Sequence, residues 1–475
     1  MTKTKPFAPR LSTAILAAAG CAVLAGCAVG PNYRRPEVPM SASFKSATKA
    51  EKPQPTLGTD WWTLFQDEDL TRLSQEALRA NQTIQAAIAR LDAAHAATRS
   101  AAGGFFPAVS IAPTAQRGRS ISRVSGNSVG VIGNSYSLPA DLSYELDVWG
   151  RLRRAYEAAH FTELASADDL ALVQQTVVSD LAQGYFSLRF YDAEVTILQE
   201  NLGLYREQLK LTQTKFNAGL ALQTDVLQAQ TQVDTATSTL IDAQRSRVKQ
   251  EHALAILLGR APADFALEPK PLSPLVPTVP AGLPSDLLNR RPDVATAEHQ
   301  LVAANAQVGV AVADFFPSFS LTGLAGFQST AFSQLTNWSN RVWSVGAGLN
   351  LPIFQGGKLT AALAAAKANY AESVANYRGA VLTALQDVED QLSDLHLLAQ
   401  KAESLEATLV HARENYRLTQ IQYKQGLTTY LNVINANQTL LNAEITSAQT
   451  QSQRLATSVL LMKALGGGWT GPTAK

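Results

Sequence analysis

Cysteine is nearly absent: two in 475 residues, Cys21 and Cys27, both close to the N-terminus. No disulfide framework and no thiolate metal site can be built from that pair. The six histidines (His95, His160, His252, His299, His396 and His411) are scattered without ligand spacing, which argues against metal coordination by them. Methionine is equally sparse, with three residues, of which Met1 and Met40 lie outside the helical regions; that gives no support to a soft-metal route. Charged residues make up only 17% of the chain and the formal net charge is +1. Such a balance offers nothing to attract a nucleic acid. The apolar run LSTAILAAAGCAVLAG is too short to span a bilayer comfortably.

What that run does fit is an export signal. Lys3, Lys5 and Arg10 precede it as a basic segment. The tetrapeptide Leu24-Ala25-Gly26-Cys27 resembles a bacterial lipoprotein box, in which Cys27 becomes the acylated first residue of the mature chain. Cleavage of residues 1–26 removes three basic residues and takes the formal charge from +1 to −2. The expected covalent group is an N-acyl, S-diacylglycerol lipid on Cys27. It anchors the N-terminus to a membrane surface without spanning it. No other cofactor is expected.

The rest of the sequence is written twice. Phe105-Phe106-Pro107 recurs as Phe315-Phe316-Pro317. Gly219-Leu220 recurs as Gly426-Leu427 at an offset of 207, and Leu257-Leu258-Gly259 recurs as Ala464-Leu465-Gly466 at the same offset. These matches divide the chain into a lipidated extended segment (27–68), repeat one (69–259), a Pro-rich linker (260–291), repeat two (292–466) and a tail (467–475). Proline fixes φ and removes donors, so the linker reads as an extended connector.

Each repeat reads as helix, two strands, long helix, turn, helix. Helices are expected at 69–102, 152–216 and 223–258, and again at 359–423 and 430–465 after the first helix of the second repeat. Val177, Leu181, Leu188, Val195, Leu198, Leu202, Tyr205, Leu209 and Phe216 recur at heptad spacings, as do Tyr370, Val374, Tyr377, Val381 and Val388. A 65-residue helix is roughly 100 Å long. Strands are expected near 105–115, 136–147, 317–328 and 342–353. Between Tyr136 and Leu146 every even position is apolar. Trp343, Val345, Ala347, Leu349, Leu351 and Ile353 alternate with smaller or polar residues. Tyr136, Trp149, Trp338, Trp343 and Phe354 stand at strand ends, as interfacial aromatics do. Sheets in lipid cannot leave open edges and the smallest usual barrel has about eight strands. Four strands per chain therefore require two or three chains to share one barrel.

Further motifs are more specific. Cys27 is followed by Gly30-Pro31-Asn32-Tyr33 and Pro36, then Trp61-Trp62, Phe65 and Asp69. A long run follows from Gly282 through Arg290-Arg291-Pro292-Asp293-Val294 and Ala297-Glu298 to Phe316-Pro317, and the chain closes near Ala464-Leu465-Gly466-Gly467. In these motifs the chain resembles the TolC-like outer-membrane factors of tripartite efflux systems, in the lipoprotein branch. The resemblance implies a mainly α protein with a β-barrel. In that fold a homotrimer shares a twelve-stranded barrel in the outer membrane, continued by a coiled-coil helical tunnel in the periplasm. It implies a passive duct for drugs or other small toxic compounds, supplied by a periplasmic adaptor and an inner-membrane RND-type pump. Ala28 after the lipidated cysteine, in place of Asp, favours the outer membrane. The implied adaptor-contact tips are Gly219, Leu220, Gly426 and Leu427. The implied periplasmic aperture matches Leu431, Asn432 and Asn435, with Asp225 matching Asn432 in repeat one. Several relatives carry Asp where this chain has Asn432 and Asn435. A threefold ring of amides lacks the charge to hold a blocking cation. The alternatives are a duct for type I secretion or metal efflux, and a trimeric coiled-coil surface protein.

Enzyme-like patterns are weak. Gly126-Asn127-Ser128-Val129-Gly130 mimics a nucleophile elbow but reads as a polar hairpin loop between strands. Gly466 to Gly471 mimics a dinucleotide fingerprint, with too few residues left for the helix that would receive a phosphate. Asp387, Glu389 and Asp390 read as a solvated or lumen-facing helix face. Arg290-Arg291-Pro292-Asp293 reads as a helix start. No catalytic residue is expected.

Overall fold

The computed structural model describes residues 28–41, 43–45, 58–124, 127–277 and 287–471. The signal segment, Cys27 and positions 282–286 of the long motif lie outside them. In chain order the helices are α1 (Glu68–Ala80), α2 (Gln82–Gly103), α3 (Arg151–Asn217), α4 (Gln223–Leu257), α5 (Leu287–Arg290), α6 (Pro292–Ala313), α7 (Lys358–Lys424) and α8 (Tyr430–Ala464). The strands are β1 (Ala108–Ile111), β2 (Thr114–Val124), β3 (Asn127–Leu146), β4 (Ser318–Ser329) and β5 (Arg341–Asn350). The repeat is exact in helix length: α3 and α7 each have 67 residues, and α4 and α8 each have 35.

The chain forms two compact units. One is drawn from Met1–Glu37, Leu91–Ser166 and Ala297–Tyr377 and contains the whole sheet. The sheet is antiparallel, in the order β1-β3-β4-β5, with β2 also on β3. Thus β1 and β2 are successive pieces of one strand position, β1 opposite Ala140 to Ser143 and β2 opposite Asn127 to Ser137. The expected strand at 105–115 is therefore corrected. It starts at Ala108, is interrupted at Ala112-Pro113 where proline has no N–H to donate, and runs on to Val124. The second strand begins at Asn127 rather than Tyr136, so Asn127 to Gly130 are strand and not loop. In the last strand, regular pairing ends at Asn350, short of the expected 353.

An N-terminal strap explains the Gly-Pro-Asn-Tyr motif. Gly30 takes φ +96°, and a Cβ there would lie 2.6 Å from the Cα of Gly309 on α6. The Nδ2 of Asn305 donates to the Pro31 carbonyl at 3.0 Å, and Arg154 donates to Oδ1 of Asn32 at 2.6 Å. Tyr33 and Arg35 both donate to the Glu298 carboxylate, at 3.0 and 2.7 Å. Glycines at both contact points let the strap lie flat on the helix, and the polar bonds fix its register. Trp149 is a junction clamp rather than a free girdle residue: its indole donates to the Pro317 carbonyl at 2.9 Å and its ring packs on Phe316 at 4.8 Å.

The second unit is drawn from Val38–Arg90, Ala167–Thr296 and Arg378–Lys475. Its main core gathers Trp61, Trp62, Phe65, Leu70, Leu73, Leu181, Tyr185, Phe186, Leu254, Leu455 and Met462. The expected helix 69–102 is broken here into α1 and α2. Asn81 leaves helical geometry (φ −64°, ψ 127°), accepts from the N–H groups of Thr83 and Ile84, and donates to the Leu257 carbonyl at 2.8 Å. An N-cap residue thereby starts a second helix in the middle of a continuous helix-forming sequence.

Arg291 and the acidic face of α7 also meet in this unit. Buried Arg291 donates to Asp293 (3.0 and 2.7 Å), to Asp387 (2.8 Å) and to the Ala464 carbonyl (3.0 Å). Glu389 accepts from the backbone N–H of Lys45, and Asp390 from Gln386. The expected solvated cluster at 387–390 is thus solvent-accessible and also anchors: Asp390 is exposed, and Asp387, its side chain 44% exposed, neutralises a buried guanidinium.

Candidate functional site

In the second unit the two helix breaks are built alike. At the first tip Gly219 takes φ +75°, its N–H donates to the Phe216 carbonyl, and the Leu220 N–H reaches back to the Lys215 carbonyl at 2.8 Å. At the second, Gly426 takes φ +79°, with the Leu427 N–H on the Gln422 carbonyl at 2.9 Å. Both are the wide-turn helix ends that need a left-handed residue. Each presents apolar side chains to solvent: Leu220 is 78% exposed, Leu222 70% and Leu427 73%.

The sequence-matched aperture residues lie just beyond. Asp225 accepts from the Leu222 N–H at 3.0 Å, so its carboxylate caps the start of α4. Its counterpart Asn432 instead donates from its side-chain amide to Oγ1 of Thr428 at 2.8 Å. Leu431, Asn432 and Asn435 are all exposed, while Tyr430, Val433, Ala436 and Asn437 are buried. The first turns of α8 are therefore amphipathic, with the expected aperture residues on the unpacked side.

Sequence reasoning missed what holds the buried side. Tyr205 of α3, Tyr416 and Tyr423 of α7 and Tyr430 of α8 converge around the start of α8. The rings of Tyr423 and Tyr430 lie 5.7 Å apart. Nζ of Lys215 sits 3.9 Å over the Tyr423 ring and donates to its carbonyl. Tyr205, Gln208, Tyr416, Tyr430 and Asn437 line a small cavity, of about 10 Å³ for water centres. The hydroxyl of Tyr430 and the side-chain amide nitrogen of Gln208 are buried without a hydrogen-bond partner among the described residues. Burial pushes the Tyr205, Tyr416 and Tyr430 hydroxyls above their ordinary range, so all three stay neutral. Their spacing was the available signal: Tyr416, Tyr423 and Tyr430 stand one heptad apart.

In the first unit the sheet carries the other candidate surface. Paired residues share a face, and the register aligns Leu146 with Phe319 and Leu349, Tyr144 with Leu321 and Ala347, Leu142 with Gly323 and Val345, and Ala140 with Ala325 and Trp343. The opposite face aligns Ser143 with Thr322 and Gly346, and Glu145 with Ser320 and Gly348. One face is thus apolar and the other polar. The apolar face is bare: Val345 is 83% exposed, Trp343 75% and Val109 66%. Its outer edges, β5 on one side and β1 with β2 on the other, have no partner strand among the described residues.

Comparison with known proteins identifies the family. The outer membrane efflux protein family matches residues 73–260 and again 283–467, one match per repeat. The antibiotic efflux pump outer membrane protein ArpC of Pseudomonas putida is 35% identical over 460 residues, covering 94% of each chain. The toluene efflux pump outer membrane protein TtgC of the same species is 35% identical with the same coverage. The solved structure of the outer-membrane channel OprN superposes with a TM-score of 0.88 at 31% identity, over 94% of this chain and all of that one.

Proposed function

The chain belongs to the outer membrane efflux protein family and is the outer-membrane duct of an efflux pump; from that premise we propose how its surfaces assemble and conduct. Three copies close one twelve-stranded barrel, edge to edge, and their helices join beneath it in the periplasm. The observation that carries this is the sheet itself. It has four strand positions, two open edges, one bare apolar face and one polar face. Open edges are not tolerated in lipid, and four strands cannot close alone. Exposed apolar residues along the long helices, including Leu397, Val410, Leu227 and Ile241, give the neighbouring copies surface to cover.

The duct does no chemistry on its cargo; small toxic compounds, of which the relatives' names give antibiotics and toluene, pass along its polar lumen. Acylation of Cys27 adds a second anchor. The bare leucines at the two tips, Leu220 and Leu427, receive a periplasmic adaptor that in turn connects to an inner-membrane pump. Leu431, Asn432 and Asn435 face the threefold axis and form the constriction. Opening it means prising the start of α8 from the tyrosine cluster.

The test is conductance in planar bilayers with the purified, heat-dissociable trimer. Wild type is expected to show weak divalent block and little pH dependence, because the ring is amide. The double variant Asn432→Asp, Asn435→Asp should acquire divalent block that acidification relieves. Strong divalent block in wild type, unaltered by either substitution, would place the constriction elsewhere.

A further inference from the structure

The β2–β3 hairpin extends beyond the rest of the sheet, and its composition is one-sided. From Ala108 to Ala140 there is no Asp or Glu, while Arg117, Arg119 and Arg123 are present. Residues Tyr136 to Leu146 of β3 pair with β4, whereas Asn127 to Ser135 pair only with β2. The free ribbon projects from the sheet end that carries the hairpin connections. All four helix junctions, at Ala108, Leu146, Ser318 and Asn350, lie at the other end. Since the helices are periplasmic, the ribbon points to the cell exterior.

Register fixes which way the arginines face. Ala115 pairs with Tyr136, so odd positions of β2 share the face of the even positions of β3, which is the apolar one. Arg117, opposite Asn134, and Arg119, opposite Ile132, continue that face upward. The apolar band from Leu146 to Tyr136 spans eleven residues, ten steps along the strand. At ~3.4 Å per residue and a tilt of about 40° it stands roughly 26 Å tall, matching the ~25 Å lipid band of such barrels. Its outer rim is aromatic: Tyr136 packs on Phe332 at 5.6 Å, and exposed Trp338 lies in the connection between β4 and β5 at the same end of the sheet. Arg117 and Arg119 lie two and four residues past Tyr136. They therefore sit roughly 5 and 10 Å above the hydrocarbon edge, at and just above the headgroup layer. Both are exposed, and among the described residues neither makes an ion pair. The Arg119 guanidinium lies over Gly130, where any Cβ would clash with it. Arg341 stands on the same face at the rim, stacked over Trp338 at 4.8 Å.

We propose that Arg117 and Arg119 form a binding site for the phosphates of lipid A, the phosphorylated glycolipid of the outer leaflet. Planar guanidiniums bind phosphate bidentately. These two stand on the lipid-facing side, at phosphate depth, without a protein counter-charge. The site ties the outer end of the barrel to the leaflet that surrounds it, opposite the acyl anchor of the N-terminus. It rests on the barrel reading, so the test must report on both.

The experiment uses full-length protein extracted from outer membranes in mild detergent. Heat-dissociable trimer is scored on gels, and bound glycolipid is counted by native mass spectrometry after titration with purified deep-rough lipopolysaccharide. Wild type should retain glycolipid. The double variant Arg117→Gln, Arg119→Gln should remain trimeric and lose at least about tenfold in retention, while Arg117→Lys, Arg119→Lys keeps part of it. Enzymatically dephosphorylated lipid A should bind wild type no better than the Gln variant. Equal retention by wild type and an intact Gln trimer overturns the proposal, as does equal binding of dephosphorylated lipid. Full competition by phosphatidylglycerol vesicles also overturns it, by making the ligand any anionic headgroup. If the double variant fails to assemble, the single Gln variants carry the same comparison. Absence of any wild-type trimer instead counts against the barrel.

Discussion

At the scale of single residues, several buried and half-buried charges are neutralised by specific partners, as Arg189 is by Asp192 and Arg291 by Asp293 and Asp387. Asp69 receives hydrogen bonds from Lys270 first and from Arg72 second, and these outweigh burial to hold its carboxyl below the ordinary value. A depressed carboxylate contributes stability that is present above its unfolded pKa, about 3.9, and lost as pH falls through the lower folded value. Asp69→Asn is therefore expected to lower the melting temperature near neutral pH, with a gap that holds down to about pH 4 and closes below it. Thermal scans of both proteins across that range would check it; a gap constant into strong acid would remove the ion pair as its cause. Asn432 makes the complementary point. It differs from Asp225 by one atom in its side chain, yet Asp225 caps its helix through a carboxylate whereas Asn432 donates to Thr428. A capping carboxylate and an exposed amide bonded to a threonine are different uses of one position in the repeat.

At the scale of elements, the repeat was legible in the long helices and the hairpins they form, and only partly in the strands. Heptad positions such as Val177, Leu181, Leu188, Leu198, Leu202 and Tyr205 are buried as their spacing requires. Long helices are legible because periodicity accumulates over many turns. The break at Asn81 was not, since Ala, Leu and Arg on both sides favour continuation. What ends α1 is a set of hydrogen bonds, one of them to Leu257, distant in sequence. Asn81→Ala should cost about 1–2 kcal/mol, the usual loss of a cap with its bonded donors. Chemical denaturation, together with faster amide exchange at Thr83 and Ile84, would report it. The strand at 105–115 misled for a related reason: alternation is blurred by Pro113 and by the Gly- and Ser-rich ribbon. Only pairing with β3 defines its extent.

For the whole molecule, what matters is which side of the sheet meets lipid. Val345 and Ser344 are neighbours in sequence and point to opposite faces. Val345→Arg places a charge in the bare apolar band, where such substitutions cost about 2–4 kcal/mol near the bilayer midplane. It should sharply reduce the yield of heat-dissociable trimer recovered from membranes. Ser344→Arg should leave that yield unchanged and shift ion selectivity in bilayers. The reverse pattern would mean that the apolar face turns inward.

Sequence alone determined the doubled architecture, the extent of the two long helices, the turn glycines and the alternation of the sheet faces. Each of these is a local property, written in spacing or in a residue's intrinsic backbone preference. Tertiary structure decided the rest. It seated the Gly30 strap on α6, paired buried Arg291 with Asp387 at the surface, gathered tyrosines from three helices at the start of α8, and extended the β2–β3 ribbon with its arginines beyond the β3–β4 pairing. None of these could be read from spacing, because each depends on contacts between residues far apart in the chain, where register and burial are set by partners rather than by neighbours.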